Sequence, residues 1–325
     1  MKHRPLLVLL NSAPLLLLAT VVLVFGSMSS RFLEPQNLGN ILVQSSSTTI
    51  VAIGMTFVLL TAGVDLSVGA IMFIVAAVVG KLAIGGAGLP LVFVAALGLG
   101  AAAGLVNAVF VARLAIVPFI VTLATLYLGR GFALWLTETR AMNLPAGFLE
   151  FGAGRVAGIP IPILLLVVVA LVAHVTLSST PFGRQLYALG QNPAGARKAG
   201  IRTRRLLFAV YLISGVCAAI GALVALGQLG AVSPSFGQNK EFAAIAAAVL
   251  GGTSLFGGRG CVLPGTVIGG VLIQTVENGL VILNADPYLY PLFTAGIIFV
   301  AVLVDSQRHE FLQRWNRRAI LPAGR

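Results

Sequence analysis

Apolar residues fall in runs of roughly twenty along almost the whole chain, separated by short polar breaks. A run of that length crosses a bilayer as a helix, whereas an amphipathic helix of a soluble domain would interleave polar residues every three or four positions. The pattern predicts ten spans, over residues 5–28, 40–61, 66–84, 90–112, 115–137, 160–178, 206–231, 242–255, 262–283 and 289–304, the eighth being short for a bilayer. The first run begins with basic residues, as a signal peptide does. It is too long and lacks a small-x-small cleavage site before polar sequence, so it is read as a span.

Two segments break the apolar pattern from within, "TAGVDLSVGA" at 61–70 and "LGGTSLFGGRGCVLPG" at 250–265. They lie in opposite halves of the chain, and Gly-interrupted segments at matching places point to an internal repeat with a substrate path between its halves. "GLGAAAGLVNA" and "GTVIGGV" supply small residues that let helices approach closely where lipid removes the hydrophobic drive for association.

Composition fits this reading: 58% of the 325 residues are hydrophobic, 9% are charged and mean hydropathy is +1.02. Little is left for a soluble domain, so residues 1–325 are read as one all-α, polytopic transmembrane domain. The net charge of +12 would suggest nucleic acid in a soluble protein. Here the positive-inside rule accounts for it. With the amino terminus in the cytoplasm, fifteen Lys and Arg lie inside: Lys2, Arg4, Arg113, six between Arg184 and Arg205, Arg259 and five in the basic tail 305–325. Five lie outside, namely Arg31, Lys81, Arg140, Arg155 and Lys240, and Arg130 falls within a span. Both termini are therefore expected in the cytoplasm.

Polar residues inside spans are the ones to weigh. Asp65 is either a cap for the helix starting near Leu66 or a group facing the path, with Ser67 beside it. Gln274, Glu277 and Asn278 share one helical face, which serves a wet path or interhelical bonding equally well. Asn107, Thr122, Thr125 and Thr253 join them as path candidates. Arg130 snorkels to the interface or pairs with Glu138, and His174 is isolated and structural. Cys217 and Cys261 have neither CxxC spacing nor neighbouring ligands and read as free thiols, so no metal site is expected. There is no GxSxG, HExxH or GxxxxGK[ST] motif, so the chain has no P-loop of its own, and uphill transport must draw on an ion gradient or on another subunit.

The cytoplasmic loop at 179–205 is more than a tether. Asn192 suits an N-cap, Pro193 the first helical position and Gly200 the C-terminal stop, which predicts a short helix along the membrane surface. Arg202, Arg204 and Arg205 then begin the next span, near anionic headgroups.

"GMTFVLLTAGVDLSVGA", "PFIVTLATLYLGRG", "TPFGRQLYALGQNPAGARKAGI" and "AAVLGGTSLFGGRGCVLPGTVIGG" resemble, in order from about Asn37 to Val304, the membrane permeases of ribose-type ABC sugar importers, which group with branched-chain amino acid permeases. "GVDLSVG" is more similar to the sugar group. The resemblance implies a bacterial inner-membrane permease paired with a second copy or paralogue, fed with a pentose or hexose by a periplasmic sugar-binding protein. A cytoplasmic ATPase with two nucleotide-binding cassettes would drive it, holding the ATP and magnesium. The segment with Arg184, Gly190, Asn192, Pro193, Ala196, Gly200 and Ile201 would be its coupling element. Cys261 after "GGRG" and Pro264 before Gly265 depart from the family pattern. On the residues alone, an ion-coupled transporter using Asp65 or Glu277 is the other reading.

Overall fold

The computed structural model describes residues 13–290 and, beyond them, 292, 293, 295–297, 299 and 303. The start of the first expected span, part of the tenth, both chain termini and the basic tail lie outside the described residues.

The described chain is a helical bundle. Helix α1 (Ala13–Met28) is followed by a 3-10 turn and by α2 (Pro35–Leu60), then by α3 (Val68–Ile84) and α4 (Leu89–Ala108), which runs into a π turn at Val109–Arg113. Helix α5 (Pro118–Thr137), a short α6 (Ala146–Ala153) and α7 (Ile161–Ser179) come next. The 179–205 loop carries α8 (Pro181–Gln191) and α9 (Pro193–Lys198) and leads into α10 (Thr203–Leu229). Helix α11 (Lys240–Leu250), a π turn at Val262–Thr266 and α12 (Val267–Ile282) complete it. Among the described residues six helices are long and apolar enough to cross a membrane, and α1 and α3 are shorter apolar helices.

The eighth expected span is corrected: α11 has only eleven residues, about 16 Å at 1.5 Å per residue, and crosses half a bilayer at most. Helices α6 and α8 lie where loop was expected.

Burial sorts the helices. The apolar window of α2 is 83% buried and that of α10 is 61% buried, against 22% for α4 and α5 and 28% for α7. Helices α2, α3 and α10 thus form the centre, with α11 and the half-buried α12 beside them, and α4, α5 and α7 turn apolar side chains such as Val94, Leu128 and Val172 outward. Helix α2 carries "SSSTT" through this centre because each hydroxyl finds a hydrogen-bond partner, Thr48 as an acceptor from Lys240 and the others as donors. Ser46 donates to the Leu42 carbonyl, Thr49 to Ser45 and Thr56 to Ala52, while Ser47 reaches the Gly221 carbonyl on α10 at 2.8 Å.

The small-residue faces do what their composition implies. Gly100 and Gly104 on α4 lie against Gly215 and the Tyr211 carbonyl on α10, so closely that a Cβ on Gly100 would collide with the Gly215 carbonyl. In "GTVIGGV", Gly269 meets the Ala247 carbonyl and Gly270 meets Thr49.

The bundle has two distinct ends. One gathers α8, α9, the end of α2 and the 251–261 turn, with the Gly258 N–H donating to the Leu60 carbonyl. The other gathers a two-stranded ladder pairing β1 (Met142–Asn143) with β2 (Ala231–Val232), beside Gly80 near the end of α3.

Candidate functional site

At the first end, α9 is held by local chemistry at both its termini. The Asn192 side-chain oxygen accepts from the Gly195 N–H at 2.8 Å, and Pro193 follows at the first helical position. Gly200 has φ +78°, its N–H donates to the Arg197 carbonyl at 3.0 Å, and the Ile201 N–H reaches back to the Ala196 carbonyl at 3.1 Å. Those two bonds are a Schellman stop, which needs a residue tolerant of positive φ at this point. Ala196 is buried with Leu189 and Leu206 beside Ile201, so the elbow is packed as well as capped.

Helix α8 begins with the same chemistry: the Thr180 hydroxyl oxygen accepts from the Gly183 N–H at 3.3 Å, with Pro181 next. It is clamped to the 251–261 turn. The Tyr187 hydroxyl donates to the Gly260 carbonyl at 2.8 Å, and Gln191 Nε2 donates to the Gly258 carbonyl at 3.3 Å. Burial, reinforced by nearby Cys261, pushes the Tyr187 phenol above its ordinary value and keeps it a donor. Gly190 sits where any Cβ would strike the Leu60 carbonyl and Gly258. The elbow, the end of α2 and the turn are therefore in direct contact. Arg184 is exposed on α8.

Deeper in the bundle, Asp65 is fully buried and anchors a directed chain of hydrogen bonds. Its Oδ1 accepts from the Ser67 N–H at 3.0 Å and the Ser67 hydroxyl at 2.5 Å, and its Oδ2 accepts from Ser214 on α10 at 2.7 Å. Asn107 Nδ2 donates to the Ser67 hydroxyl at 2.8 Å, and Thr125 donates to Asn107 Oδ1 at 2.7 Å. Four elements are tied to one carboxylate. Helix α3 starts at Val68, so Asp65 braces the turn before it and does not cap a helix from Leu66. Thr122 bonds to the Pro118 and Val64 carbonyls. Thr253 is buried with no partner for its hydroxyl among the described residues.

The polar face of α12 is largely matched by α2. Thr266 meets Thr56 at 2.7 Å, Gln274 Nε2 donates to Gln44 at 3.2 Å, and Asn278 and Asn37 exchange two bonds of 3.0 Å. Glu277 is half-buried and outside these pairs. Arg130 lies over the Phe73 ring at 5.6 Å, and Glu138, the partner offered as the alternative to snorkelling, is instead 3.9 Å from Arg140. Cys217 and Cys261 are free.

Sequence reasoning passed over Tyr187, Gln191, Ser214, Asn37 and Gln44. Tyr187 and Gln191 carried a signal, being one helical turn apart on a stretch introduced by Thr-Pro. Ser214 carried none, because its partner is 149 positions away.

A family model described as the permease component of branched-chain amino acid transport systems matches residues 37–303. The chain belongs to this permease family. The ribose import permease protein of Escherichia coli (strain K12) is 37% identical over 92% of this chain and 95% of its own length. The D-allose transport system permease protein of the same strain is 38% identical over 89% of each chain, and its galactofuranose transporter permease protein is 36% identical over 83% of this chain and 79% of its own length. No solved structure matches the permease. It is an integral membrane protein, and its elbow and buried carboxylate both fall within the matched span.

Proposed function

We propose that this permease is the membrane subunit of a binding-protein-dependent ABC importer for a monosaccharide, working beside a second copy or close paralogue in a bacterial inner membrane. The observation that carries this reading is the similarity, over most of both chains, to permeases named for ribose, D-allose and galactofuranose. Three different sugars at 36–38% identity support a class of substrate more than any single one.

In this reading both termini lie in the cytoplasm, and α9 docks into the ATPase. That partner binds ATP and magnesium and supplies the energy. This chain does no covalent chemistry. Its part is to have two packings, one open to the periplasmic sugar-binding protein and one open to the cytoplasm, whose relative stability the ATPase shifts through the elbow. The elbow suits that work because both of its ends are fixed: α8 is clamped to the 251–261 turn, and α10 leaves directly from it. Asp65 serves as a brace. Arg184, Gly190 and Ile201 belong to the docking segment, and Gln274, Glu277, Asn278, Asn107, Thr122, Thr125, Ser67 and Thr253 are nearest the path.

The experiment is sugar uptake into vesicles holding the permease with its ATPase and binding protein. Uptake is expected only with ATP inside the ATPase compartment. Accumulation driven by an imposed proton gradient with no ATPase present would overturn the assignment.

A further inference from the structure

The segment between α10 and α11, "AVSPSFGQN", does not stay at the end of the bundle where sequence reasoning left it. Val232 packs beside Gly80, and Gly237 packs against Gly69, eleven residues further down α3. At 1.5 Å per residue the segment therefore descends about 16 Å into the bundle. Phe236 anchors it in the core. Helix α11 then starts at mid-depth: Lys240 Nζ donates to Thr48 at 2.9 Å, and Thr48 is the fourteenth of the twenty-six residues of α2.

Gln238 and Asn239 are nevertheless exposed at this depth, as is Gln44 one turn away on α2. Lys240 is half-exposed, with no carboxylate partner among the described residues. Irregular backbone and uncompensated polar groups at membrane depth are tolerated only where they are buried in protein or meet water, and an unpaired ammonium there is costly against lipid. The same groups form an inventory for hydroxyls: amide donors and acceptors on Gln44, Gln238, Asn239 and Gln274, and the remaining ammonium protons of Lys240. The start of a half-helix at mid-depth is also where transported solutes meet such bundles.

We infer that Gln44, Gln238, Asn239, Lys240 and Gln274 line a water-filled vestibule, entered from the end that carries β1 and β2, where the sugar's hydroxyls are held halfway across. This rests on the sugar-permease reading for its ligand. The vestibule itself stands on depth and exposure alone.

The first test needs neither ATP nor sugar. In a background with Cys217→Ala and Cys261→Ser, Gln238→Cys is compared with Leu128→Cys, which is exposed near the middle of α5, using a charged, membrane-impermeant methanethiosulfonate. Gln238→Cys is expected to react at least about tenfold faster. Equal rates would mean that the segment faces lipid or is closed off, and would overturn the vestibule. The second test measures uptake by the assembled importer carrying Lys240→Met, Lys240→Arg or Gln44→Leu. A lost bond to a charged group predicts a KM about tenfold higher or more for Lys240→Met, a smaller rise for Gln44→Leu and partial rescue in Lys240→Arg, with ATP hydrolysis retained. An unchanged KM in both Lys240→Met and Gln44→Leu would remove the sugar contact even if Gln238→Cys labels. Failure of the ATP requirement in the unmodified importer would instead count against the importer reading and leave the thiol result standing.

Discussion

Replacing Asn192 and Gly200 by Ala strips both stops from α9 while leaving its packing face intact. The Asn192 cap is a single 2.8 Å bond to the Gly195 N–H, and an N-cap of this type is worth about 1 kcal/mol. Gly200 has open space where a Cβ would go, so Gly200→Ala meets no clash and costs only the left-handed backbone, about 1 kcal/mol. Helix α9 has six residues, far too few to persist through propensity. If the two costs add, the ratio of ordered to frayed elbow falls about thirtyfold. Hydrogen exchange of the amides in α9 should accelerate by about that factor, and sugar taken up per ATP hydrolysed in reconstituted vesicles should fall with it. Gly200→Pro also removes the N–H that bonds Arg197 and should do more. Faster exchange with an unchanged coupling ratio would refute the elbow as a lever, and unchanged exchange would refute the energetics of the caps.

Two further outcomes follow from the bonds behind the elbow. Tyr187→Phe deletes only the hydroxyl bonded to the Gly260 carbonyl, about 1 kcal/mol, so uptake per ATP should drop severalfold at constant expression; an unaltered ratio would separate the clamp from transport. Asp65→Leu strands the Ser67 N–H and two hydroxyls in the core, whereas Asp65→Asn can keep an acceptor on Ser67 while Ser214 rotates to accept. Melting in detergent should therefore fall much further for Leu than for Asn, and equal melting would show that the carboxylate does not brace the turn.

What the sequence disclosed and what it withheld divide by range. Asn192, Pro193 and Gly200 announced α9 because capping is settled within nine residues, and long apolar runs announced the six spanning helices because lipid imposes their length. Helix α8 carried an equally local signature in Thr180 and Pro181, so it was legible and passed over. Asp65 stood out as an intramembrane carboxylate, but its role hung on Ser214 and Asn107, which only tertiary packing brings near. The depth of 233–239 was invisible for a different reason. Polar letters between two apolar runs read alike whether the segment stays above the bilayer or descends into it.

That depth also brings a further break in the chain against 61–70. The sequence suggests pairing 61–70 with 250–265, and Ala62 does lie against Gly257, but the start of α3 meets 230–239 as well. The 61–67 break joins the end of α2 to α3, and the 230–239 break joins the end of α10 to α11. They meet at Gly69 and Gly237, each of which has the other's carbonyl where its Cβ would be. From that point α3 runs towards β1 and β2, past Gly80, while α11 runs along α2 towards Leu60 and the elbow. Two short helices leaving one mid-depth contact in opposite directions, each fed by a long central helix, have the geometry of an inverted repeat. In such an arrangement one end can loosen while the other tightens about the same contact. The Asp65 chain braces the segment entering from the elbow end with side-chain hydrogen bonds, whereas the one entering from the other is held by the ladder at Ala231–Val232, by buried Phe236 and by the Lys240 bond to Thr48.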